Sequence, residues 1–138
     1  MAGTVVQTRT TNSGKEKFER HVTLTMVSDA AAGTVPDTTL GGLAAYELRE
    51  VVTTPGAAPP TTAYRVRVTS VGSGEIFLGD ARSAAGAAET QGGHETLGFY
   101  PPVHDTLTLR IAGTANTDAG SMGNSKNLTV KLIFGLRG

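Results

Sequence analysis

The sequence of 138 residues contains no cysteine and no tryptophan. Without cysteine there can be no disulfide scaffold, thiolate zinc cluster, iron–sulfur centre or thiol nucleophile, so we expect packing alone to hold the fold. No apolar run approaches the roughly 18–20 residues that a membrane-spanning helix requires. Residues 1–6 also lack the basic-then-apolar order of a signal peptide. These absences predict a soluble chain that is made inside the cell and has no membrane partner.

The sequence also has no excess of charge of either sign. The sequence has 12 basic and 12 acidic side chains, a formal net charge of zero, and only 17% charged residues. Binding to duplex nucleic acid depends on neutralising phosphates with an excess of Lys and Arg. Nucleic acid is therefore a poor candidate partner. The length fits one ordinary domain with a closed core and is too short for two.

Threonine and glycine are abundant, with 21 and 18 residues. Threonine is β-branched and favours strands, and glycine favours tight turns. Apolar and polar residues alternate with period two in four segments, which is the pattern of half-buried antiparallel strands. These segments are 22–27, 64–69, 106–111 and 128–134. Weaker strand patterns occur at 5–10, 45–53 and 75–79, with a short apolar element at 96–100.

The connecting segments fit the same architecture. Residues 54–61 contain three prolines and predict a loop between antiparallel strands. Residues 71–74 are short enough to close a hairpin. We expect loops at 84–93 and 113–126, the latter rich in Gly, Asn and Ser. The sequence thus predicts an all-β fold, an antiparallel β-sandwich of jelly-roll type with seven to eight strands. Its predicted organisation is an extended N-terminal arm, 1–17, followed by a single domain, 18–138.

The motifs that carry chemistry are weak. His94 and His104 each adjoin an acidic residue, but neighbours in a strand point to opposite faces and cannot share one ion. A metal site would need His94, His104 and Asp80 to converge, and polar surface positions are the commoner outcome. Gly-x-Ser-x-Gly and Gly-Lys-Ser/Thr motifs are absent. We therefore predict no catalytic residue, no cofactor-binding residue and no metal ligand: the protein is not an enzyme.

Two further segments each allow two interpretations. Arg65 and Arg67 share one face of a predicted strand, and we expect cross-strand pairing with Glu47 and Glu50, a contact surface being the alternative. Residues 97–103 form an apolar and aromatic cluster that ends in two prolines. We expect it to be a turn that closes the core, the alternative being a site for a partner.

Five stretches of the sequence follow one another in a recognisable order. They are a strand, a Pro-Gly and Pro-Pro-Thr loop, a Tyr-x-Val-x-Val-type strand, a Leu-Gly-Asp turn and two Leu-Thr strands, at 48–56, 59–68, 78–82, 105–109 and 128–132. In this order the chain resembles small β-sandwich virion proteins of tailed bacteriophages. The resemblance spans about residues 20–135 and rests on turns and alternation. It implies a structural role in the virion, either decorating the head or belonging to the tail.

We accordingly predict a capsid decoration (cementing) protein that stabilises the head lattice, located in the virion and assembled in the host cytoplasm. The expected partners are copies of itself, as a homotrimer, and the major capsid protein or other virion subunits. A tail tube, adaptor or tail-tip protein is the first alternative. A carbohydrate-binding module is the second, although no tryptophan is available to stack on a sugar ring.

The contacts with other subunits are predicted in the N-terminal arm and its junction with the domain, and in the loop 113–126. An extended terminal segment can pair along a neighbour's sheet edge, and a long polar loop can reach across an interface. The predicted contact residues are Thr4, Val6, Thr8, Thr10, Phe18, Arg20, Asn116, Asp118, Met122 and Asn124.

Overall fold

The computed structural model describes residues 3–11, 19–60, 64–72, 74–79, 89–93, 98–112 and 122–136. These residues form nine strands: β1 (Thr4–Thr11), β2 (Glu19–Val27), β3 (Thr38–Leu40), β4 (Tyr46–Pro55), β5 (Arg65–Ser70), β6 (Gly74–Leu78), β7 (Glu89–Gly92), β8 (Leu107–Ala112) and β9 (Asn127–Leu136). Within the described ranges there is no α-helix. Nor does that part of the chain contain a helix long and apolar enough to cross a bilayer.

The strands form two antiparallel sheets. One sheet has the order β1-β2-β9-β4-β7 and the other the order β3-β8-β5-β6. Four antiparallel pairs are nested in the sequence and together form one long hairpin: β2–β9, β3–β8, β4–β7 and β5–β6. Folding that hairpin over adds the pairs β4–β9 and β5–β8 and gives the two layers of a jelly roll. The predicted all-β sandwich is confirmed, with β1 as a ninth strand beside the eight of the roll.

The core lies between the two sheets and follows from the period-two pattern. Strands β2 and β9 bury every second residue, and the segments predicted from alternation supply most of the core. Fully or almost fully buried side chains from both sheets meet there: Val22, Leu24, Met26, Val66, Val68, Phe77, Leu107, Leu109, Ile111, Leu128, Val130, Leu132 and Phe134.

Two short strands were missed by the sequence pattern. Strand β3 has three residues, and β7 has four and lies inside the segment 84–93, which was predicted as a loop. In β7 the side chain that turns inward is polar, Gln91, so the strand shows no apolar alternation. Of the predicted loop 54–61, residues 54 and 55 belong to β4, and 56–60 lie outside the strands. The strands before and after it, β4 and β5, belong to different sheets and do not pair with each other.

The predicted pairing of Arg65 and Arg67 with acidic residues of β4 is wrong. β4 belongs to the opposite sheet, so these side chains point away from it. Arg67 instead contacts Glu75 of β6, with 2.7 Å between Nε and Oε2. Arg65 donates a hydrogen bond from Nη1 to the carbonyl oxygen of Gly79 at 3.3 Å. Strand order, which the local pattern does not encode, decides these partners.

Asp105 fixes the turn that closes the long hairpin. One carboxylate oxygen accepts a hydrogen bond from the hydroxyl of Ser70, and the other accepts the N–H of Gly72 at 2.8 Å. The N–H of Val71 also donates to the carbonyl oxygen of Thr106 at 3.2 Å. The segment before β8 is thereby attached to the β5–β6 turn.

We expect Asp105→Ala to lower the free energy of unfolding by about 1–3 kcal/mol, because the buried hydroxyl of Ser70 loses its acceptor. Urea denaturation at neutral pH measures this change. Asp105→Asn keeps one carbonyl oxygen as an acceptor and should lose less. Equal urea midpoints for the wild type and Asp105→Ala would show that the carboxylate does not hold the turn.

Candidate interaction surface

The outer face of the five-stranded sheet carries a group of threonines that we call the threonine face. Its strand register aligns two rows across the sheet: Val6, Thr25, Thr129 and Thr54 in one, and Thr8, Thr23, Lys131, Val52 and Thr90 in the other. The neighbouring residues of β2 and β9, and Val51, Thr53 and Gln91, are buried on the opposite side of the sheet. Strand alternation therefore places six threonines from five strands on one surface.

The threonine face is almost uncharged. Of the nine residues in its two rows, Lys131 alone carries a charge. Thr8, Thr25, Thr54 and Thr90 are exposed, and the side chain of Val6 is 63% exposed. Covering such a surface with a protein partner removes few charges from water and orders few long side chains, two costs that oppose association.

The outer face of the four-stranded sheet has a different character. Arg67 and Arg110 are direct neighbours across β5 and β8. Arg110 forms a bidentate pair with Asp37, with 2.8 Å between Nη2 and Oδ2. Glu75 balances Arg67 on the other side. On this face two neighbouring arginines are each paired with a carboxylate on their outer side, so the charges are already compensated within the chain. The threonine face is therefore the better candidate for a contact surface.

The predicted contact residues on the arm lie in β1, which pairs with β2 over eight residues. Thr4 and Val6 are exposed, as is Thr8, and all three lie on the outer face of the sheet. Thr10 also belongs to β1, but its side chain is outside the described part of the chain. That these residues touch another subunit stays a prediction. Because β1 pairs with β2 of its own chain, such a contact would lie on the outer face of the five-stranded sheet.

The junction between arm and domain is occupied by an internal contact. The guanidinium of Arg20 lies over the ring of Tyr46, 5.0 Å from its centroid. The Arg20 side chain is half-buried, on the inner side of the strand beside Phe134. Arg20 therefore packs within its own chain. Phe18 falls outside the described residues.

The end of the loop 113–126 is fixed to the turn that follows β2. The hydroxyl of Ser28 donates to the carbonyl oxygen of Gly123 at 2.6 Å and accepts the N–H of Lys126 at 2.7 Å. The N–H of Met122 donates to the carbonyl oxygen of Gly33 at 2.9 Å. In the same turn, hydrogen bonds from the N–H groups of Ala31 and Ala32 lower the pKa of Asp29 below its ordinary value of 3.8.

The two described contact candidates of the loop, Met122 and Asn124, differ in burial. Met122 is fully buried, so its side chain belongs to the core and leaves the set of contact candidates. Asn124 lies exposed in a turn, as a contact residue must. Asn116 and Asp118 are outside the described residues. The composition of the loop could not reveal Met122 as a core residue, because its neighbours are small and polar.

The aromatic segment 97–103 is only partly the core-closing turn that was expected. Val103 is buried, but Phe99 is 57% exposed and Tyr100 is 43% exposed. The guanidinium of Arg49 lies 5.7 Å from the centroid of the Tyr100 ring. For these two aromatic residues the prediction of burial is wrong. They form a second exposed patch, at the edge of the sheet beside the start of β4. Leu97 lies outside the described residues.

The described histidines have different surroundings. His21 contacts Glu19 on its own strand, with 3.0 Å between Nε2 and Oε1. His104 is exposed. His94 and Asp80 are outside the described residues, so their convergence with His104 is not tested. The part of the chain that the structure describes contains no group of three or more acidic or histidine side chains able to hold a metal ion.

Sequence reasoning missed that Val52, Thr54, Thr90 and Thr129 share a surface with β1. Alternation assigns Thr129 to the polar side of its strand, but Thr54 and Thr90 fall in segments that were predicted as loops. The strand order that joins these residues depends on the folded hairpin. The comparisons with known proteins add no name to this surface. The sequence matches no family model and no curated protein.

Proposed function

We propose that the chain is a structural protein of a tailed-bacteriophage virion and acts as a capsid decoration protein that stabilises the head lattice. In this proposal the subunits form trimers and bind the major capsid protein. The threonine face, continuous with the exposed residues of β1, is the contact surface. The resemblance to small virion β-sandwiches supports the setting, and the jelly-roll fold is compatible with it.

The single observation that carries the proposal is the threonine face itself. It spans all five strands of one sheet and includes the predicted contact residues Val6 and Thr8. Apart from Lys131 its side chains are threonine and valine, which are short and β-branched, so a partner immobilises them at a low cost in entropy. A decoration protein binds in many copies, and the repetition of a modest contact over a lattice provides the overall stability.

The proposal predicts that one carboxylate on the threonine face prevents binding. We expect Thr25→Glu to lower the occupancy of this chain on purified virions at least about tenfold, because a buried, unpaired charge opposes association by several kcal/mol. Occupancy is measured by quantitative gel analysis and by cryo-electron microscopy of the heads.

Deleting residues 1–17, which removes the N-terminal arm, should also abolish binding while the remaining sandwich stays folded.

The matched control is Thr39→Glu. Thr39 is also an exposed threonine on a strand, but it lies on the outer face of the other sheet, opposite Thr108. The occupancy of the Thr39→Glu variant on virions should equal that of the wild type. Equal binding by both glutamate variants would contradict the proposed surface. Six-fold rings on the tail, with no density on the head, would replace the decoration role by a tail role.

The exposed Phe99 and Tyr100 favour carbohydrate binding as a second candidate. Aromatic rings with one free face stack on sugars, and both side chains are more exposed than the other described aromatics. A chain that is absent from virions, and that binds a polysaccharide in a manner lost in Tyr100→Ala, would support this second candidate in place of the first.

A further inference from the structure

The outer edge of β1 is the longest sheet edge in the described part of the chain. The described edge strands are β1 and β7 in one sheet, and β3 and β6 in the other. β7, β3 and β6 have four, three and five residues, and the pairing of β6 with β5 shifts at Val68/Thr69. β1 has eight residues, and its register with β2 is unbroken. Short strands and bulges protect edges from pairing with other chains, and β1 has neither.

The composition of β1 also favours pairing. Six of its eight residues are threonine or valine, and the strand contains no proline, lysine or acidic residue. Arg9 is its one charged residue. The Arg9 guanidinium donates to the carbonyl oxygen of Gly41 at 2.5 Å and to the side-chain oxygen of Gln7 at 2.7 Å. That charge is held within the chain, on the side facing the second sheet, and does not project along the edge.

We propose that β1 pairs antiparallel with β1 of a second copy of this chain, so that two five-stranded sheets join into one of ten strands. An antiparallel pair of identical strands is self-complementary around a two-fold axis and forms a closed interface. This inference does not rest on the proposed function, because it concerns contact between two copies of this chain alone.

Face matching limits the register of this pair. Thr4, Val6 and Thr8 lie on the outer face of the sheet and Val5 on the inner face. A one-residue slip would join the outer face of one copy to the inner face of the other. The registers that keep the faces aligned and pair at least seven residues of the described segment 3–11 place Val6, Gln7 or Thr8 opposite its own counterpart.

Charge supports a second copy as the occupant. In those three registers Arg9 lies opposite Gly3, Val5 or Gln7 of the other copy, all of them uncharged. Like charges directly opposite one another destabilise strand pairs, and none arises here. The two threonine faces would also lie side by side and form a surface of twice the width.

The absence of cysteine allows a direct test in the purified full-length chain. Single variants Val6→Cys, Gln7→Cys and Thr8→Cys each place the thiol at the two-fold axis of one register. We expect one of them to form a disulfide-linked dimer under mild oxidation about tenfold faster than the control Thr4→Cys. In every allowed register the two Thr4 residues are offset by at least four positions, about 13 Å along the strand, beyond disulfide reach.

Sedimentation of the wild-type chain gives a second measurement that needs no substitution. A reversible, concentration-dependent two-fold association supports the proposal. It is overturned if the three variants cross-link no faster than Thr4→Cys, or if the wild type stays monomeric up to about 1 mM, a concentration at which association of about 4 kcal/mol is visible.

Discussion

Phe134→Ala should lower the free energy of unfolding by about 3–5 kcal/mol, the loss expected when a large buried aromatic side chain is truncated. Phe134 is fully buried near the end of β9. Its neighbours across the sheet are Arg20 of β2 and Leu48 of β4. Because β9 is the central strand of its sheet, the neighbouring strands cannot both move inward to fill the cavity. A domain of this size has a total stability of about 5–15 kcal/mol, so the loss is a large fraction of it.

Urea denaturation of Phe134→Ala and Ile133→Ala measures this effect with a matched control. Ile133 is the preceding residue, turned to the outer face and only half-buried. Its truncation removes a side chain from the same strand but leaves the core intact. The larger loss should belong to Phe134→Ala. A larger loss for Ile133→Ala would mean that the faces of β9 have been assigned the wrong way round.

Gly93→Ala should be the most damaging of the glycine substitutions, at about 1–3 kcal/mol or more. A Cβ at Gly93 would lie well inside van der Waals distance of the backbone carbonyl of Leu48. The backbone of β4 cannot easily withdraw, because Leu48 lies at the register shift and is paired with Phe134 on its other side. The clash is therefore with a fixed group and not with a flexible side chain.

Two other glycines provide graded controls for this prediction. A Cβ at Gly135 would meet the side chain of Arg49, which can swing away at the loss of its contacts. A Cβ at Gly41 has no neighbour within 4 Å. Thermal unfolding should therefore rank the alanine variants Gly93, Gly135 and Gly41 from the largest to the smallest fall in Tm, with about 2–4 °C for each kcal/mol. A Tm for Gly93→Ala equal to that for Gly41→Ala would disprove the close approach to β4.

The strongest strands were predictable because one side of each is wholly apolar. Val22, Leu24 and Met26 are buried while the intervening residues face outward, and the same rule holds along β5, β8 and β9. β4 follows the rule less closely. The register shift between Leu48 and Glu50 allows both Leu48 and Val51 to face the core, three residues apart. Alternation alone cannot place a shift of this kind.

The candidate surface was less predictable than the fold. Thr4, Val6 and Thr8 were proposed as contacts from an extended terminus, but the face that they share with Thr54 and Thr90 exists only because β4 and β7 lie in the same sheet as β1. Met122 shows the converse limit. Its burial depends on the fixed turn after β2, contributed by residues more than 80 positions away in the sequence. Interactions over such distances have no local sequence signal.

The pairing of β2 with β9 has a consequence for how the chain reaches this structure. Its partners are separated by 100 positions at Val27/Asn127 and by 116 at Glu19/Gly135, whereas β5 and β6 are joined by a tight turn. Closing so long a loop costs entropy before the contacts that reward it exist, and folding rates fall as contacts become less local. The local pairs β5–β6 and β1–β2 can therefore form early, and the sheet that carries the threonine face is completed late, when β9 joins it. A newly made chain would pass through a state in which the edge of β2 is open, so concentration during synthesis would influence whether copies fold separately or entangle.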